Sequence, residues 1–224
     1  MKGVSKFSFL FLALLSWIVI QLDPLISNII SSIVGESSSN FSFTIDSINF
    51  ILVILVWAIS AYYLFSLSKS KLDFNILKTN EKPTKINLFI ALLLLASAII
   101  VTTALWNFKL KPVAEFSMHI KSFGTLGIIS FILQYIYYVF EIVLATLIIS
   151  FGQKFGDLMF KSSKIPWGGI LLAITWGLIH IVWKGSIVFG CFIALDGILF
   201  GTIYLLVKKN IYYAFPIIFL MFVF

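Results

Sequence analysis

Long apolar runs separated by short lysine-bearing stretches recur from one end of the chain to the other. About 20 apolar residues suffice for a helix to cross the hydrocarbon core of a bilayer. Six such runs are legible, at 7–22, 47–67, 86–106, 124–152, 166–183 and 186–207. A weakly amphipathic stretch, 24–34, follows the first run behind Pro24. A final run, 211–224, is short and reads as a re-entrant helix or a seventh crossing. The polar stretches 35–44, 69–85 and 107–122 read as loops. The pattern predicts an all-α fold, a polytopic transmembrane helical bundle of about seven to eight membrane helices. It divides into N-terminal transmembrane helices and loops, 1–123, and a C-terminal helical core, 124–224.

Composition agrees with this reading. Hydrophobic residues make up 61% of the 224 and charged residues 11%, with a mean hydropathy of +1.09. Soluble domains run near 45–50% and about 25%. A net charge of +7 is compatible with a nucleic-acid partner, but the lysines sit in short loops beside the spans. Such placement follows the positive-inside rule instead, so no nucleic-acid partner is expected.

Lys2, Lys6, five lysines between 69 and 85, Lys154, Lys161, Lys164, Lys208 and Lys209 fall on one side. Lys109, Lys111, Lys121 and Lys184 fall on the other. Twelve against four predicts a multi-pass protein of the cell membrane with a cytoplasmic N-terminus. Lys2 and Lys6 precede an apolar run that lacks a small-x-small cleavage site, so the first run reads as a retained anchor. Trp17, Trp57, Trp106, Trp167 and Trp183 fall near span ends, as interface anchors do. A single cysteine, Cys191, excludes both a disulfide framework and a cysteine metal cluster.

Glu141, His180 and Asp196 break the apolar pattern, each inside a different span. Ionisable groups at such depth normally mark a pathway, a partner or a site. Counted from the inner ends of their spans, they lie about 17, 21 and 17 Å deep at 1.5 Å per residue. The three levels agree within about one turn, which predicts a shared polar cavity near the midplane. The plainer alternative is interhelical hydrogen bonding that fixes packing, worth about 0.6 kcal/mol on average. His119, in the 107–122 stretch, reads as a solvated loop residue.

A buried glutamate beside a histidine is suited to activating water by general acid–base chemistry. Peptide hydrolysis further needs a metal or preorganised donors to polarise the carbonyl. No H-E-x-x-H, G-x-S-x-G or P-loop is present. The run Tyr137-Tyr138-Val139-Phe140-Glu141 stands late in a long span, and Trp176-Gly177-Leu178-Ile179-His180 follows about forty residues on. Gly197-Ile198-Leu199-Phe200-Gly201 with Tyr204 comes next, and then Lys208 to Asn210 ahead of Pro216.

In these features the portion 124–224 resembles the CPBP (Abi) family of CAAX- and bacteriocin-processing intramembrane proteases. The resemblance aligns Glu141 with the family's E-E-x-x-x-R motif and Trp176 to His180 with its F-x-x-x-H motif. It departs at Ile142, where the second glutamate belongs, and at Ala145 or Thr146, where the arginine belongs. Phe219, Leu220 and Met221 occupy the region of the third motif, H-x-x-x-N, without a histidine.

What the resemblance implies is an intramembrane endopeptidase acting on a membrane-associated peptide or protein, in contact with membrane lipid. Glu141 would activate water, and His180 would serve as electrophile or ligand. Glu141 and His180 are the candidate metal ligands, for a divalent ion such as zinc. Asp196, Gln153 and Trp176 are candidate auxiliaries, with Asp157 a further group near the inner mouth. Two alternatives stand beside it. One is a non-catalytic membrane relative with a bacteriocin self-immunity or partner-binding role. The other is a small transporter using Glu141 and Asp196 as proton-relay groups. Gly168-Gly169 and Gly197-x-x-x-Gly201 predict close helix packing inside the bundle.

Overall fold

The computed structural model describes residues 5–78 and 81–224; Lys2 lies outside them. Ten α-helices occur among the described residues, and no strand. They are α1 (Lys6–Ile20), α2 (Leu22–Val34), α3 (Phe43–Lys71), α4 (Lys85–Leu105), α5 (Lys111–Phe123) and α6 (Gly127–Phe160). A second group comprises α7 (Trp167–Leu172), α8 (Leu178–Lys184), α9 (Ile187–Leu206) and α10 (Ile211–Val223). Six segments are long and apolar enough to cross a membrane. They are α1 with α2, α3, α4, the α5–α6 pair, α7 with α8, and α9. With 13 residues, α10 is about 20 Å long, short of a hydrocarbon core of about 30 Å.

Local chemistry fixes several ends. The side chains of Thr84, Ser186 and Asn210 cap α4, α9 and α10 by accepting backbone N–H bonds. Asp46 lies in the first turn of α3 and Lys69 and Lys71 in its last, complementing the helix dipole at both ends.

The hub is α6. From Glu141 to Gln153 nearly every residue is buried whichever way it points, as expected of a helix enclosed on all sides. The N-terminal helices α1 and α3 pack along it, as do α7 and α10 from the C-terminal portion. One hydrophobic core therefore joins both portions of the chain. On the outside, Phe11, Ile59, Ile86, Ile100 and Val182 are among many exposed large apolar side chains, as a lipid-facing surface requires.

Close approach within the bundle uses the predicted glycines. A Cβ on Gly168 would overlap the carbonyl of Ile149 on α6, and one on Gly201 would overlap Gly169. Here α7 lies directly on α6 and α9, so the small residues serve packing within this chain.

Two expectations are corrected. The 107–122 stretch is not a loop: α5 occupies most of it, with Pro112 in its first turn and Gly124 closing it at φ +59°. It folds back along the N-terminal half of α6 as a helical hairpin. Trp57 is no interface anchor either, being fully buried and donating its indole N–H to the Val19 carbonyl at 2.9 Å.

Candidate functional site

Glu141 points into the interior, 8% exposed. Its Oε1 accepts a hydrogen bond from the Trp176 indole Nε1 at 3.0 Å. Oε2 makes no hydrogen bond among the described residues and is not among the sealed, unpartnered atoms, so it keeps some accessible surface.

Trp176 lies in a π-helical segment, Ala173–Gly177, between α7 and α8. Such bulges insert one residue into a helix and occur frequently at functional sites. His180, one turn on, donates its Nδ1–H to the Trp176 carbonyl at 2.7 Å, since a carbonyl can only accept. This fixes the tautomer with Nε2 unprotonated in the neutral ring. The Trp176 and His180 rings meet edge to face, with centroids 5.1 Å apart.

The structure thus joins Glu141, Trp176 and His180 in one chain of contacts. Glu141 and His180 themselves share no hydrogen bond or ion pair among the described residues. Phe200 and Phe222 pack against the Trp176 ring on its other sides, with centroids 6.3 and 6.0 Å away.

Asp196 stands on α9, half-buried and without a hydrogen bond among the described residues. The cation bearing on it is Lys111, which also lies within electrostatic range of Glu115 and Glu141. Lys111 is therefore not an outer-loop lysine. At the start of α5, it donates to the Phe222 carbonyl at 2.8 Å and sits over the rings of Tyr138 and Phe222.

Gln153 is not brought to Glu141. Twelve residues further along α6, about 18 Å away, it donates to Asp157 and to the Ile165 carbonyl and accepts from the Gly168 N–H. Two of these three bonds tie α6 to the segment that starts α7, and the third stays within α6. Asp157 pairs with Lys209 at the same end.

His119 is likewise not solvated. Its ring bridges Ser130 and Gln134 on α6, and Ser130 in turn donates to Asp46 on α3 at 2.6 Å. Gln134 continues to the Tyr138 hydroxyl at 2.6 Å, and Tyr138 donates to Glu115 at 2.8 Å. Tyr135 donates to the other Glu115 oxygen at 3.0 Å. This second polar network was missed in the sequence. Its signal is a stripe at four-residue spacing, Lys111, Glu115 and His119, facing a matching stripe, Ser130, Gln134 and Tyr138.

The proposed metal ligands do not form a metal cradle. No group of three or more His, Cys, Asp or Glu side chains among the described residues is placed to hold an ion. Catalytic zinc takes three protein ligands, so this donor set does not fit it. The chain matches no model of a known family, no curated protein and no solved structure.

Proposed function

We propose that this multi-pass membrane protein is a CPBP-type intramembrane endopeptidase, acting on a membrane-associated peptide or protein. The observation that carries the reading is the half-bonded Glu141 carboxylate, with one oxygen held by Trp176 and the other free within the bundle. In this reading Oε2 takes a proton from water as the oxygen of that water adds to the scissile carbonyl. The same proton then passes to the amine nitrogen as the C–N bond breaks. His180, with its Nδ1–H on the Trp176 carbonyl, presents an unprotonated Nε2 that accepts a hydrogen bond and orients the attacking water. Lys111 lies within electrostatic range of both Glu141 and Asp196 and sets the charge around the carboxylate.

One observation favours a second reading, a non-catalytic relative that binds a membrane partner or confers self-immunity. The Trp176 side chain contacts both Glu141 and His180, and no direct bond joins those two among the described residues. The deciding experiment reconstitutes the purified protein with membrane-associated peptides and follows cleavage by mass spectrometry. The protease reading expects Glu141→Gln and His180→Ala each to reduce cleavage by about 10²–10⁴-fold. Equal cleavage by both variants and wild type removes it. An immunity phenotype that survives both substitutions carries the second reading.

A further inference from the structure

At the end of the bundle where α3, α6 and α9 meet their lysine-rich connections, a cavity of about 260 Å³ opens. That is room for about nine waters at about 30 Å³ each. Lys78, Lys154, Lys208 and Lys209 line it, together with Glu81 and Asp157. Lys208 is bonded to Glu81 at 2.6 Å and Lys209 to Asp157, which leaves Lys78 and Lys154 without an ion-pair partner among the described residues. The cavity therefore carries a net charge of two positive. Lys154 is also positioned: its ammonium lies 5.9 Å from the centre of the Phe74 ring.

Gln153 and Tyr204 add to its polar lining, and the side-chain nitrogen and oxygen of Gln153 are already bonded to Asp157, to the Ile165 carbonyl and to the Gly168 N–H. Two free ammonium groups on one cavity call for an anion with several oxygens. Lysine binds phosphate as a point charge. Basic pockets between membrane helices, beside lysine-rich connections, hold anionic lipid head groups.

We propose that this cavity binds the phosphate of an anionic phospholipid head group, held by Lys78 and Lys154. The site is separate from Glu141, and its occupancy braces the ends of α6 and α9 against the segment before α4.

The test measures thermal unfolding of the purified full chain in uncharged detergent, titrated with short-chain phosphatidylglycerol, short-chain phosphatidylcholine or inorganic phosphate. Phosphatidylglycerol should raise the midpoint saturably, and phosphatidylcholine should not. Lys154→Gln and Lys78→Gln should each raise the half-saturating concentration about five-fold, and Lys121→Gln should not change it. Lys78 is exposed, so its variant keeps the test valid if Lys154→Gln folds poorly. Equal shifts from the two lipids, or a phosphatidylglycerol shift that both variants retain, overturn the site. A Lys154-dependent shift from inorganic phosphate, without one from phosphatidylglycerol, overturns the lipid as its source.

Discussion

The α5–α6 hairpin and the centre around Glu141 both bury carboxylates in an apolar bundle, yet they leave them in different states. In the hairpin both oxygens of Glu115 are bonded, by Tyr135 and Tyr138. The donors come from the adjacent helix, and the chain of bonds continues through Gln134 and His119 to Asp46. Glu141 has one bonded oxygen, and its donor lies 35 residues away in a π-helical turn. A fully satisfied buried network fixes structure, whereas a half-satisfied group remains available for chemistry. The hairpin is scaffold by this criterion and Glu141 is the candidate reactive group.

The largest effect expected from this contrast is kinetic. Glu141→Gln should abolish most cleavage while the unfolding midpoint stays close to that of wild type, because the amide oxygen still accepts from Trp176. A large loss of stability in that variant would erase the distinction between the two regions. Tyr135→Phe with Tyr138→Phe should do the opposite. It strips both donors from a buried carboxylate, at about 1–3 kcal/mol for each lost bond, read as a lower denaturation midpoint with residual activity in proportion to folded protein.

Trp176→Phe comes next. It removes the single donor to Glu141 and keeps an aromatic ring among Phe200, Phe222 and His180. Cleavage should fall about ten-fold, equivalent to about 1.4 kcal/mol, with the pH profile of the remaining activity displaced because the carboxylate has lost its partner. An unchanged profile would reduce Trp176 to a packing residue.

The smallest effect belongs to the exposed Glu81–Lys208 pair. The Lys208 ammonium holds the Glu81 carboxyl below its ordinary value of 4.5. The stability it adds is present above pH 4.5 and lost as the pH falls below it. Glu81→Gln should thus lower the midpoint slightly at neutral pH and not at all in strong acid.

Spans were legible because hydropathy alone decides which segments leave water, and the helices α3, α4, α6 and α9 lie over the runs read from the sequence. The hairpin was not legible by that route, since α5 mixes Lys111, Glu115, His119 and Lys121 with apolar residues and so has the composition of a loop. Its helix signals were positional instead: Pro112 at the start, Gly124 at the end and polar residues every fourth place. At the site, the sequence brought out Glu141 and His180 because charge in an apolar run is conspicuous. It could not show that Trp176 would be the direct partner of Glu141, because that contact depends on the register of a π turn. Trp57 illustrates the same limit, as nearness to a span end does not reveal which way an indole points.

The most direct test of the contrast between the two carboxylates is chemical labelling of the intact protein in membranes with a hydrophobic carbodiimide, followed by peptide mapping. The account predicts adducts at Glu141, whose free oxygen is accessible, and none at Glu115, whose two oxygens are both bonded. Labelling at Glu115 with Glu141 spared would contradict it.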